Sequence, residues 1–119
     1  MDNYILVDGE PIFEPDLMRW ARWNIEGGID RRRVALTEFG AVRVSTVFLG
    51  SDHSFGGPIP ILFETMVFGA PLRHLDGYQE RYATLEEARL GHERAVALVR
   101  KWFPLIWLAR LISKLRLKS

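Results

Sequence analysis

The chain has 119 residues, of which 48% are hydrophobic and 12% aromatic, and it contains no cysteine. The length corresponds to a single domain, and the apolar content excludes an intrinsically disordered chain. Sixteen basic and fifteen acidic residues give a formal net charge of +1, which argues against an extended nucleic-acid surface. The lack of cysteine excludes disulfides and thiolate metal sites, and it favours a reducing compartment.

The first thirty residues predict a β-hairpin followed by a helix. A short apolar run from Tyr4 to Val7 is closed by Asp8-Gly9, a strong turn signal, and a second short segment returns after it. The N-terminus begins acidic and has only a three-residue apolar run, so we expect neither a signal peptide nor export. Helical spacing of apolar residues begins near Asp16, and Gly27-Gly28 predicts the end of this helix.

The middle of the chain predicts an antiparallel sheet of four or five strands. Residues 33–38 and 42–49 are two β-rich runs around a tight connection, which predicts a hairpin. Residues 61–68 are apolar on both faces, so we expect a central strand there. Residues 78–83 predict the last strand.

The last third of the chain predicts two helices. Thr84-Leu85-Glu86-Glu87 is a capping box, in which the threonine hydroxyl and the glutamate carboxylate each satisfy a backbone N–H. The apolar stripe that follows predicts packing on the sheet, and Pro104 is expected to end or kink the helix. The predicted architecture is therefore α+β, with two helices on one face of the sheet. It comprises a single domain over residues 1–103 and a basic amphipathic helix over residues 104–119.

The predicted C-terminal helix has more apolar surface than a single domain needs. One face carries five leucine and isoleucine residues, and helical geometry places Ile106, Trp107 and Leu117 towards the basic side, where a monomer would leave them in water. We expect homo-oligomerisation through this helix. Two alternatives remain open, namely contact with a membrane surface, which is less favoured, and packing against the domain's own sheet. The five residues of the apolar face are Leu105, Leu108, Leu111, Ile112 and Leu115.

Polar residues inside apolar strands suggest a binding site. Burial of Glu64 is costly unless its carboxylate is bonded, and the loop after residue 49 contains Asp52 and His53. One interpretation is structural, with Glu64 paired to Arg81 or Arg43. The other is a single pocket formed by Glu64, Asp52 and His53.

The motifs of common catalytic and metal sites are missing from this sequence. Adjacent Asp52, His53 and Ser54 cannot orient on one another as a catalytic triad, and the acidic and histidine residues match no metal-binding spacing. We therefore assign no catalytic residue, metal or cofactor. His92 lies on an apolar helical stripe, where a histidine bonded within the core is more common than a ligand.

Four segments give this chain a resemblance to a largely uncharacterised family of small proteins from tailed bacteriophages and prophages. The resemblance covers about residues 4–99 and implies a phage origin and a setting in the host cytoplasm, but it does not include the segment from Phe103 onward. The segments that carry it are Trp20-Ala21-Arg22-Trp23, Val44 to Gly50 followed by Asp52-His53 and Phe55, Phe63 to Gly69, and Arg81-Tyr82 leading to Gly91-His92.

Three functional hypotheses follow from the resemblance and the polar residues. The first is a non-enzymatic phage accessory protein that binds a small anionic ligand, such as a nucleotide immune signal, and so counters host defence. The second is a protein–protein inhibitor of a host defence protein, or a small virion component, without a ligand pocket. The third, less favoured, is a hydrolase using Asp52, His53 and Glu64. The residues expected to bind the ligand are Arg22, Asp52, His53, Glu64 and Arg81.

Overall fold

The computed structural model describes residues 1–118 and has an α+β fold, as the sequence predicts. It contains six strands and two helices in the described part of the chain. In chain order these are β1 (Tyr4–Val7), β2 (Glu10–Phe13), α1 (Leu17–Arg32), β3 (Arg33–Phe39), β4 (Val42–Phe48), β5 (Phe63–Phe68), β6 (Gln79–Tyr82) and α2 (Leu85–Lys118).

The strands form two antiparallel sheets. Strands β1 and β2 make a separate hairpin, and β3 to β6 form a four-stranded sheet in which neighbours in sequence are neighbours in space. The predicted hairpin over β3 and β4 and the predicted inner position of β5 are both confirmed. The register places Thr46 opposite Thr65 and Glu64 opposite Arg81.

The two faces of the four-stranded sheet differ in what covers them. Alternate residues of β4, including Val44 and Phe48, are fully buried, because helix α2 packs on their face. The other alternate residues, including Ser45 and Val47, point to the opposite face and are only partly buried. We call this opposite side the open face. Its apolar members are Leu36, Val47, Met66 and Phe68.

Helical residues continue for six positions beyond Glu26, where the sequence predicts the end of helix α1. Asp16 caps its start by accepting hydrogen bonds from the backbone N–H groups of Met18 and Arg19. Gly28 adopts φ 57° and ψ −156°, which interrupts the helix, but helical conformation resumes and continues to Arg32. The predicted end at the glycine pair is therefore confirmed for the first helical segment, whereas the short second segment over residues 29–32 was not predicted.

The bend in α1 decides how the helix meets the sheet. Before the bend, the Trp20 indole N–H donates to the Gly50 carbonyl at 2.9 Å, and Trp23 packs edge-on against Phe48. After the bend, Ile29 lies beside Val47 on the open face. The two halves of α1 thus contact different sides of the sheet, whereas α2 stays on one face.

Helix α2 runs without interruption through Pro104. At its start the Thr84 hydroxyl oxygen accepts from the Glu87 N–H at 3.1 Å, which confirms the predicted cap. The Glu87 carboxylate accepts from the Thr84 hydroxyl, instead of from the backbone as predicted. The predicted end at Pro104 is wrong, because packing on both sides of it holds the helical path: Phe103 contacts the Phe39 ring and Ile106 is buried in the core.

Candidate functional site

The predicted ion pair of Glu64 is present on the open face. Its carboxylate is nearly buried and accepts hydrogen bonds from the Arg81 Nε–H, at 2.8 Å, and from the Gln79 amide. Arg43, the other predicted partner, lies instead over the Phe68 ring. The interpretation that Glu64 pairs with Arg81 is confirmed, and Glu64 also lines a cavity of about 260 Å³.

The Asp52 carboxylate stabilises the loop between β4 and β5, in which it lies. One carboxylate oxygen accepts from the backbone N–H groups of Ser54, at 2.8 Å, and Ile61, at 3.0 Å, and the other accepts from the Ser54 hydroxyl. These bonds stabilise the charged form, so they hold the pKa of Asp52 below its ordinary value. His53 is tied similarly, with Nδ1 2.8 Å from the Ser51 carbonyl oxygen. Both side chains therefore maintain the loop that connects β4 to β5.

The five predicted binding residues fall into three separate places. Glu64 and Arg81 meet on the open face, Asp52 borders a different cavity beside Asp2, and Arg22 lies exposed on α1. Among residues 1–118 no hydrogen bond or ion pair joins these three groups. The single pocket predicted from the sequence is thus divided, since the 49–62 loop does not bring Asp52 to Glu64.

His92 belongs to a buried polar network that the sequence only partly indicates. Its Nε2 lies 2.9 Å from the Thr37 hydroxyl and its Nδ1 2.7 Å from the Thr46 hydroxyl, which in turn bonds Thr65. The predicted core histidine is correct, but its partners are side-chain hydroxyls and not backbone. Burial lowers the pKa of His92. In the neutral imidazole ring one nitrogen donates a hydrogen bond and the other accepts one. Each threonine hydroxyl can be donor or acceptor, so both ring nitrogens can be satisfied.

A cavity lies over this network. It is an open groove of about 470 Å³ between β3 and α2. Arg100 supplies its positive charge and Glu93 a negative one, with the Thr37 hydroxyl and the His92 ring between them. The complete lining is Thr37, His92, Glu93, Val96, Ala97 and Arg100.

A second polar cluster, not identified from the sequence, ties β6 to α2. Glu80 accepts from the Tyr78 hydroxyl and from Arg94, both at 2.7 Å. Burial and the neighbouring Glu80 carboxylate raise the pKa of Tyr78 to about 12. Alternation along the strand places Glu80 on the same face as buried Tyr82, and this spacing could have predicted that the Glu80 carboxylate needs a partner.

The C-terminal part of α2 exposes a continuous apolar surface. The five apolar residues predicted for one face are each 41–60% exposed, and we call them the C-terminal stripe. Trp107 is 59% exposed and borders a small cavity with Arg110 and Lys114. Ile106, which the sequence predicts to be exposed to water, is instead fully buried against the sheet. The prediction for the Leu117 side chain lies outside the part of the chain whose side chains the structure describes. The stripe consists of Leu105, Leu108, Leu111, Ile112 and Leu115.

Comparison with protein-family models, with curated proteins and with solved structures gives no match to this chain. The phage resemblance therefore stays a prediction. Within residues 1–118, neither helix combines the length and the apolar content needed to cross a bilayer. The same residues hold no group of three acidic or histidine side chains placed to bind a metal ion.

Proposed function

We propose that this protein is a non-enzymatic accessory protein of a tailed phage, acting in the host cytoplasm through protein–protein contact, and that it self-associates through the C-terminal stripe. The exposed stripe is the observation that supports the protein–protein contact, and the sequence resemblance alone supports the phage setting. Five large apolar side chains in one continuous row are costly to leave in water, and contiguous patches of this kind mark interaction sites. Inhibition of a host defence protein and a structural role in the virion both fit such a protein.

The side chains that could act as a general base or nucleophile already make structural hydrogen bonds, which supports a non-enzymatic role. A general base or nucleophile needs a free lone pair directed at substrate. The Asp52 carboxylate is occupied by backbone N–H groups, and the Glu64 carboxylate is neutralised by Arg81. The His92 ring uses both nitrogens on threonine hydroxyls. Each group thus has a structural task that accounts for its position.

Charged substitutions in the stripe test self-association. We expect the wild-type chain to form dimers or larger assemblies in light scattering, and the double variant Leu108→Glu/Ile112→Glu to be monomeric, because buried carboxylates oppose apolar contact. Leu90→Glu is the matched control, since Leu90 is an equally exposed leucine of α2 outside the stripe. A wild-type chain that stays monomeric at high micromolar concentration contradicts the proposal.

We propose the small anionic ligand as a second candidate, located in the His92 groove and not in the divided pocket. The groove favours it because Arg100 and the Thr37 hydroxyl border a space large enough for a small molecule. Thermal-shift measurements with cyclic and linear nucleotides should then raise the melting temperature by mass action, and Arg100→Gln should abolish the rise. Equal melting temperatures with and without every nucleotide tested contradict this candidate.

A further inference from the structure

Charge is strongly segregated along the chain. Residues 1–93 contain nine basic and fifteen acidic residues, a formal charge of −6, whereas residues 94–119 contain seven basic residues and no acidic one. Two C-terminal segments laid side by side would bring these two sets of positive charges together, which opposes association. Contact between the C-terminal segment of one copy and the body of another avoids this repulsion, and the opposite net charges of the two parts speed their encounter.

The open face is an apolar surface of the body that its own chain leaves partly uncovered. The open face presents partly exposed side chains around the 260 Å³ cavity, among them Phe68, which is 39% exposed. Glu64, the charged residue that lines the cavity, is neutralised by its ion pair with Arg81. At its margin Arg43 lies over Phe68 and is opposite Glu38 in the register, so the face as a whole is apolar and close to neutral.

The C-terminal stripe cannot cover the open face of its own chain. Helix α2 packs on the other side of the sheet, and its last buried residue is Ile106 among those whose burial is described. The helical residues 107–118 span about 18 Å at 1.5 Å per residue. Strand β5, at the centre of the open face, has six residues and spans about 20 Å. The projecting helix therefore matches the length of the face on a second copy.

We infer that the C-terminal stripe of one copy docks on the open face of a second copy, and that the reciprocal contact closes a two-fold symmetric dimer. This inference rests on the proposed self-association and identifies the surface that receives the stripe. The same patch pair is used twice in such a dimer, so both uncovered apolar surfaces of each copy become buried. Helix-to-helix pairing is the rival geometry.

A mixing experiment with two monomeric variants tests the inference. We expect Phe68→Glu to abolish the dimer in light scattering, as Leu108→Glu/Ile112→Glu does, while Ile12→Glu, an exposed control on the separate hairpin, leaves it intact. Mixing the two monomeric variants should restore a weaker dimer, because one intact stripe still meets one intact face. Raising the ionic strength should slow association of the wild-type chain, because it screens the attraction between the oppositely charged parts of two copies.

Cysteine cross-linking gives a readout that does not depend on destabilising the fold. Because the chain has no cysteine, Phe68→Cys and Leu108→Cys can be introduced singly and mixed. We expect a disulfide between positions 68 and 108 of two copies. A disulfide formed only between two 108 positions, or a dimer that survives Phe68→Glu while the stripe variant dissociates, overturns this inference and leaves self-association standing. A monomeric wild-type chain overturns both.

Discussion

Gly91→Ala is expected to destabilise the protein by about 2 kcal/mol, within the range for overpacking a core. Alanine normally stabilises a helix by up to about 1 kcal/mol relative to glycine, so the sign is opposite to that of an exposed site. A Cβ at Gly91 would lie 2.0 Å from the Tyr82 hydroxyl oxygen and 2.1 Å from its ring carbon Cζ. Tyr82 is buried beside Phe48 and Phe63, so the ring has little room to move away.

Urea unfolding measures the Gly91→Ala effect, and a second background tests its cause. In a Tyr82→Ala chain the obstruction is gone, so the same Gly91→Ala substitution should become neutral or stabilising. Ala97→Gly, at an exposed position of the same helix, calibrates the propensity effect at about 1 kcal/mol. A wild-type background in which Gly91→Ala raises the urea midpoint would show that Tyr82 does not restrict this position.

Local sequence signals identify most of the elements of this fold because those elements satisfy local rules. Apolar alternation in β4 and the hydroxyl of Thr84 each have a direct physical counterpart in the structure. The helix end expected at Pro104 is an exception. A proline weakens a helix by a bounded amount, and burial of Ile106 beyond the proline offsets that loss.

The candidate site is less predictable, because it depends on where distant segments meet. The Glu64 and Arg81 pair follows from strand register and could be predicted. The distance between Asp52 and Glu64 depends on the path of a fourteen-residue loop that the Asp52 carboxylate itself stabilises. The contact of His92 with Thr37 joins residues 55 positions apart, and no local pattern indicates it. The sequence therefore indicates the pairing on the sheet but not the division of the pocket.

His92→Leu is expected to cost about 2 kcal/mol at pH 7.5, the scale of leaving buried polar groups without partners. Leucine fills much of the imidazole volume but leaves the Thr37 hydroxyl without its hydrogen bond to His92. The Thr46 hydroxyl keeps its hydrogen bond to Thr65. The double variant His92→Leu/Thr37→Val removes both members of the lost bond and should recover part of the stability. A urea midpoint for His92→Leu equal to that of the wild type would show that the His92 hydrogen bonds contribute nothing to stability.

The cost of His92→Leu should shrink as the solution is acidified. Burial holds the folded-state pKa of His92 below its unfolded value of about 6.5, so the unfolded chain takes up the proton first and wild-type stability falls from that pH downward. Nearby Glu93 opposes this shift, and Arg100 faces the same groove. Asp52 acts in a separate, more acidic pH range, because its lowered pKa gives stability that is lost below about pH 4.

Urea unfolding at pH 7.5, 6.5 and 5.5 measures the effect of His92. The difference in unfolding free energy between wild type and His92→Leu should narrow as the pH falls, by at most about 1.4 kcal/mol per unit of pKa shift. A gap that stays constant across this range means that His92 is not kept neutral by the fold.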